Sequence, residues 1–412
     1  MSQTRETRKI ALAASDADGA VYNILYEGLI AIGAFKFGAK LIELAKRPDA
    51  NGLINEAARK SCLDEIRDYF RTNAIGSLVL EGATARALGQ ADTELRLEFL
   101  LALQKLDMAL YDEILLKANS ELIKYLAGLA DTHDEVHVAI ASRRQDKNYD
   151  ALGQEVNATG LFFRDVAVIK NELAALRPGK AFLFEGSFID IVNNRNLGSH
   201  ARATPSKLSQ FHYNYHSDGS KLSTHIMLIH GFLKDYQSKH PDIDVSLAYH
   251  FFDDLHALHR KAKSVFSDCP TLLPANVSFQ SVHYEKNVVT VHDDVIKGSG
   301  ILNPNFEKFV TDFCQILGDT FQEEDTNDGC ALEHLIFVAK ELLQGYPGVV
   351  EPVQEVGADI KSESESESES DDEDSLDRAD RFSDYSDGDE ATESESLSDS
   401  ESEPTAKRPR LR

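Results

Sequence analysis

The chain has 412 residues, 42% of them hydrophobic, and a formal net charge of −26 at pH 7. Such an acidic chain is unsuited to general DNA or RNA binding, which needs a basic surface against the phosphates. No apolar run approaches the length of a membrane span. The four cysteines (Cys62, Cys269, Cys314, Cys330) are scattered without a CxxC pair. That spacing fits buried thiols in a reducing compartment rather than a zinc site or a disulfide framework.

The N-terminus, MSQTRETRKI, starts basic, but Asp16 and Asp18 interrupt the apolar stretch after it. The apolar core and cleavage site of a signal peptide are missing. Residues 22–49, 61–88 and 93–130 then repeat apolar positions with a period near 3.6, and the first run closes at Pro48. The pattern predicts a helical region over 1–130 with broad apolar stripes that must pack on a neighbour. No chemistry stands out in it.

The texture changes near residue 135. Short strand-like runs occur at 135–141, 180–184, 243–249 and 277–284, separated by helical patterns. Strands alternating with helices of ten or more residues predict a mostly parallel sheet with helical cover. The expected fold class is therefore α/β: an open, Rossmann-like domain over 131–310, preceded by the helical region and followed by C-terminal helices over 311–360.

In an open α/β sheet the ligand crevice lies beyond the carboxyl ends of the strands. Three polar clusters come directly after predicted strands. In the first, Arg143 and Arg144 can clamp a phosphate or carboxylate bidentately, with Ser142 and Asp146 completing a ligand or cofactor site. The same loop also reads as a solvated turn, with Asp146 or Asp150 capping the next helix. In the second, Asp253 and Asp254 offer adjacent carboxylates that can hold Mg²⁺, or can cap a helix. The third is Glu185, with Asp190 five residues on. An aspartyl nucleophile for phosphoryl transfer belongs at such a strand end, and glutamate there displaces the carboxylate by its extra methylene. Neither GxGxxG nor GxxxxGK[ST] occurs, so nucleotide binding through those loops is unsupported. Histidines crowd 200–292; His256 and His259 are three apart on a predicted helix, and His212 and His216 four apart, without HExxH.

Several of these segments carry a family resemblance. Ser142-Arg143-Arg144-Gln145-Asp146 with Asp150, the NATG run at 157–160, YHFFDD at 249–254, LPANV at 273–277 and GSGILN at 298–303 resemble landmarks of a group of α/β domains. Those domains occur in effectors that Legionella injects into its host through the Dot/Icm type IV secretion system. The resemblance covers about 135–310. The family's forms are closer to SNRQS and FYDDR, so Arg143, Asp146, Phe252 and Leu255 depart from it, while Asp253 and Asp254 match. The double aspartate is also similar to haloacid-dehalogenase-like phosphatases, whose first motif, DxDx[TV], does not occur in the chain.

The last segment, 361–412, is a Ser/Glu-rich polyelectrolyte with 19 acids and 7 bases. It has little to bury, so composition predicts a disordered tail. The resemblance implies that it engages the secretion machinery as an export signal. Its serines stand close to acids, which suits acid-directed kinases. The end reverses sign at Lys407, Arg408 and Arg410, a cluster that can address the nuclear importer importin, while the acidic run suits basic nuclear proteins such as histones. Two functional expectations result. The first is a secreted effector acting in the host cytosol or nucleus, its α/β domain a degenerate scaffold for host proteins. The alternative is a metal-dependent hydrolase or phosphotransferase using Asp253, Asp254, Arg143 and Arg144, with Mg²⁺ as the cofactor.

Overall fold

A strand from the extreme N-terminus forms the middle of the fold. In a computed structural model, which describes residues 5–46, 56–87, 92–142, 147–187 and 218–302, β1 (Glu6–Ser15) lies between β2 (Glu135–Ile140) and β4 (Ile243–Asp253), parallel to both. β3 (Ala181–Ser187) pairs with β2, and β5 (Val277–Glu285) with β4, again parallel. β6 (Val288–Lys297) is antiparallel and closes the order β3-β2-β1-β4-β5-β6. The fold is thus α/β, with an open, mostly parallel six-stranded sheet under helical cover.

The expected helices form over 24–129, as α1 (Ile24–Lys46), α2 (Glu56–Thr72), α3 (Ile75–Ala87), α4 (Thr93–Leu106), α5 (Met108–Ala118) and α6 (Ser120–Leu129). Residues 6–15 correct the helical expectation for 1–130, and residue 130 does not separate two bodies. The helices belong to the same compact unit as the sheet and cover one of its faces. Ala11 and Ala13 of β1, Val136, Val138 and Ile140 of β2, and Phe252 of β4 pack beneath them. α1 is buried on most of its surface because it lies between the sheet and the outer helices. Asn23 starts it: its side-chain oxygen accepts from the amides of Leu25 and Tyr26, both at 3.0 Å, so two otherwise orphaned donors are satisfied. α7 (Lys147–Asn157) and α8 (Phe162–Leu176) come after β2, and α8 joins the same layer.

The opposite face alternates in register. Ile10, Leu12 and Ala14 of β1 and Val245, Leu247, Tyr249 and Phe251 of β4 pack against α9 (Asp218–Lys239) and α10 (His256–Asp268). Period-2 side-chain alternation with both faces apolar is what a central parallel strand requires. β5 and β6 are joined by Lys286 and Asn287 at φ 54° and 59°, a two-residue turn with both φ positive that matches the twist of a hairpin. None of the helices among the described residues is long and apolar enough to cross a membrane. The segments expected as C-terminal helices (311–360) and as the acidic tail (361–412) lie outside the described residues.

His250 of β4 points into the helical layer, where its Nδ1 shares a 3.0 Å hydrogen bond with Tyr125 of α6. Burial, with His133 nearby, pushes this imidazole down from 6.5 to about 4. A depressed folded value means stability that is complete above pH 6.5 and is lost as pH falls towards about 4. At about 1.36 kcal/mol per pKa unit, the group accounts for about 3 kcal/mol over that window. His250→Asn keeps a polar atom near Nδ1 but cannot titrate. Urea unfolding at about pH 7 and pH 4.5 is expected to show a wild-type loss steeper than that of the variant by about 2 to 3 kcal/mol. Equal losses would mean that His250 is hydrated in the fold.

Candidate functional site

The strand order reverses beside β1: the chain leaves it towards β2 and β3 on one side, then returns to β4 and β5 on the other. The crevice outside the carboxyl ends of β1 and β4 is therefore the topological switch point, where open α/β folds bind ligands. Asp16 comes directly after the last residue of β1, and Asp253 is the last residue of β4. The Asp16 amide donates to the Phe252 carbonyl at 3.2 Å, which brings the two strand ends together. Asp16, Asp253 and Asp254 each place a carboxylate oxygen so that all lie within 4.8 Å of one another. Asp253 and Asp254 are buried and Asp16 is half-buried.

Three carboxylates this close repel one another unless a cation or a proton joins them. An all-oxygen donor set fits a hard divalent cation such as Mg²⁺ or Mn²⁺. Asp253 takes part in both the local turn and the cluster. One oxygen accepts from the Leu255 amide at 2.9 Å, which stabilises the turn into α10, and the residue still contributes to the cluster. Asp254 lies over the loop 17–22. That loop is tight: the Tyr22 amide donates to the Ala17 carbonyl at 2.8 Å, and Gly19 sits at φ +87°. A Cβ on Gly19 would stand 2.3 Å from an Asp254 carboxylate oxygen, so only glycine lets that side chain settle there.

Ser142 is buried two residues beyond β2. The amide of its neighbour Ala141 donates to the Ser15 carbonyl at 3.0 Å, which ties the carboxyl end of β2 to that of β1. Arg143, Arg144 and Asp146 lie outside the described residues. Asp150 caps α8, accepting from the amides of Phe162 at 2.8 Å and Phe163 at 3.2 Å. The structure gives Glu185 another setting than the strand end at which an aspartyl nucleophile would belong. Glu185 falls inside β3 beside a register shift, 2.6 Å from His137, and is no part of the cluster. Asp190 lies outside the described residues.

The residue that reasoning from sequence missed is Asp16. Its signal was present: Asp16-Ala17-Asp18-Gly19-Ala20 differs from DxDx[TV] only in alanine at the fifth position. The histidine pair on α10 does not converge on one ligand. His256 stacks on His283 with ring centres 3.8 Å apart, while His259 is buried and engaged at both nitrogens. Burial first, and the neighbouring histidines after it, push His259 down to about 4, so its ring is neutral near pH 7. His212 and His216 lie outside the described residues.

Fold and site together define an open α/β protein with a carboxylate centre at its switch point. Comparison of the chain with protein-family models, with curated proteins and with solved structures returned no match.

Proposed function

We propose that the chain is a metal-dependent phosphoryl-transfer enzyme, a phosphohydrolase or phosphotransferase, with Asp16 as nucleophile and Asp18 as general acid and base. The observation that carries this is the convergence of Asp16, Asp253 and Asp254 within 4.8 Å at the switch point. The similarity to haloacid-dehalogenase-like phosphatases supports it, since the first motif is supplied in all but its fifth position and the double aspartate is present. The departure at that fifth position, Ala20, is what favours the competing reading of a catalytically idle scaffold.

A carboxylate oxygen of Asp16 forms a bond to phosphorus as the bond from phosphorus to the leaving oxygen breaks. Asp18, two residues on and half-buried, gives its proton to the leaving oxygen. Water then attacks the phosphorus of the aspartyl phosphate and yields a proton to Asp18, and the bond to Asp16 breaks. An alcohol in place of water makes the same sequence a transfer. Ser142, buried beyond the carboxyl end of β2, would donate its hydroxyl to a phosphoryl oxygen. Asp16, Asp253 and Asp254 would hold Mg²⁺, which neutralises charge on the transferring group.

The resemblance to secreted effectors supports a place of action inside a host cell, in cytosol or nucleus, with the acidic tail as export signal and the basic end as an address. It bears on where the reaction occurs rather than on what it is.

Metal binding gives the direct test. A ligand at about a hundred times its Kd stabilises by about 2.7 kcal/mol, which raises Tm by roughly 5 °C in a domain of this size. Heat denaturation with Mg²⁺ or Mn²⁺ is expected to show that rise in the wild type and none in Asp253→Asn/Asp254→Asn. An unshifted wild type would remove the metal, and with it this enzyme class.

A further inference from the structure

Asp253 and Asp254 are neighbours in sequence, and neighbouring side chains on a strand point to opposite faces. For both to reach Asp16, the chain must turn at the peptide that joins them. The carbonyl of that peptide belongs to Asp253, and it has a dedicated partner. His259, one turn into α10, donates its Nε2–H to this oxygen at 3.0 Å. The other ring nitrogen, Nδ1, meets the hydroxyl of Ser281 on β5. Because a carbonyl can only accept, Nε2 carries the proton, and Nδ1 of the neutral ring accepts from Ser281. Both residues are buried, His259 at 2% and Ser281 at 6% exposure, so neither bond exchanges freely with water. Packing fixes the ring further. Phe251 lies 5.1 Å away, His292 5.2 Å and His283 5.6 Å between ring centres.

We infer that His259, oriented by Ser281, is a positioning residue for the metal centre: it fixes the plane of the Asp253–Asp254 peptide and so the relative aim of the two carboxylates. The inference rests on the proposed metal site. Such a residue touches neither metal nor substrate, yet the centre depends on it. With the carbonyl released, the peptide can rotate, and one carboxylate leaves the cluster. A partner lost from just outside a metal's ligands typically lowers affinity by about 10- to 100-fold. Ser281 acts at one further remove. Without its hydroxyl the ring keeps its donor but loses the contact that selects the tautomer, so a loss of only a few-fold is expected.

The test is a titration of the full-length protein with Mn²⁺, monitored by electron paramagnetic resonance of the free ion, with thermal unfolding of each metal-free variant alongside. His259→Phe keeps the ring volume and removes both hydrogen bonds. Its Mn²⁺ affinity is expected to fall at least tenfold. His259→Gln places an amide nitrogen near the position of Nε2 and is expected to recover affinity to within about threefold of wild type. Ser281→Ala is expected to fall between them. Rescue by glutamine separates positioning from general damage, because a packing defect is not repaired by a smaller polar chain. His259→Phe binding Mn²⁺ as tightly as wild type would overturn the inference and leave the metal site standing. Equal loss in the phenylalanine and glutamine variants would also overturn it, assigning the effect to packing. A wild type that binds no Mn²⁺ would overturn the metal site itself, and the role of His259 with it.

Discussion

Asp16→Asn is expected to abolish turnover of a phosphomonoester, by about 10³-fold or more, because an amide cannot serve as the covalent nucleophile. The same substitution removes one of three carboxylates from the cluster, so Mn²⁺ affinity falls with it. Asp18→Asn separates the two effects. Asp18 is not among the clustered carboxylates, and its expected loss is that of proton transfer alone, about 10²- to 10⁴-fold. Its Mn²⁺ affinity is expected to stay within a few-fold of wild type. Single-turnover assays with a phosphomonoester bearing a good leaving group sharpen the contrast, since such a leaving group needs little protonation. Asp18→Asn should then form the aspartyl phosphate and fail to hydrolyse it, while Asp16→Asn forms none. Full activity in Asp16→Asn would move the nucleophile elsewhere and leave only a metal-activated water as chemistry.

What could be read from the sequence divides by the physical source of the signal. β2 to β5 are legible because each is a run of β-branched or aromatic residues set after a helix and before a polar turn. β1 has the opposite texture. Its core stretch, IALAA over 10–14, is dominated by alanine, which favours helices and carries little strand preference. The reason lies in the tertiary structure. Ala11 and Ala13 are fully buried beneath the α1 layer, where small side chains let helix and sheet approach. The demand for small volume outweighed the demand for strand propensity, and no local pattern records that. β6 escaped for another reason. It is an antiparallel edge with much of its surface in water, so it lacks the apolar run that marks a buried strand.

The site shows the same division. Asp253 and Asp254 were legible, being a pair at the end of a recognisable strand. Asp16 was not, because the strand that delivers it was not. Once β1 was absent, Asp16 and Asp18 read only as charges interrupting an apolar stretch. A strand-end carboxylate was then sought near residues 185–190, but Glu185 lies within β3, 2.6 Å from His137. His259 was visible only as a histidine on a helix. Its link to the Asp253 carbonyl is a tertiary contact that spacing does not encode, and Ser281 comes from a different strand.

Gly19→Ala tests the geometry of the centre most severely, and two effects act together. A non-glycine residue at φ +87° costs about 1 to 3 kcal/mol in backbone strain. The added Cβ would also stand 2.3 Å from an Asp254 carboxylate oxygen and 2.5 Å from its carbon. Asp254 is buried and committed to the cluster, so it cannot swing aside without leaving the centre. A displacement near 1 Å at a reacting centre costs about 10²-fold in rate, and metal affinity is expected to fall by a similar factor. Gly179 supplies the control. Its φ of +85° is nearly the same, but a Cβ there meets nothing within 4 Å. Gly179→Ala therefore carries the strain without the collision. Gly179→Ala is expected to lose about 1 to 3 kcal/mol of stability in urea and Gly19→Ala at least as much, and only Gly19→Ala should lose Mn²⁺ binding and turnover. If Gly19→Ala binds Mn²⁺ as Gly179→Ala does, Asp254 does not lie over that loop and is no ligand of the centre.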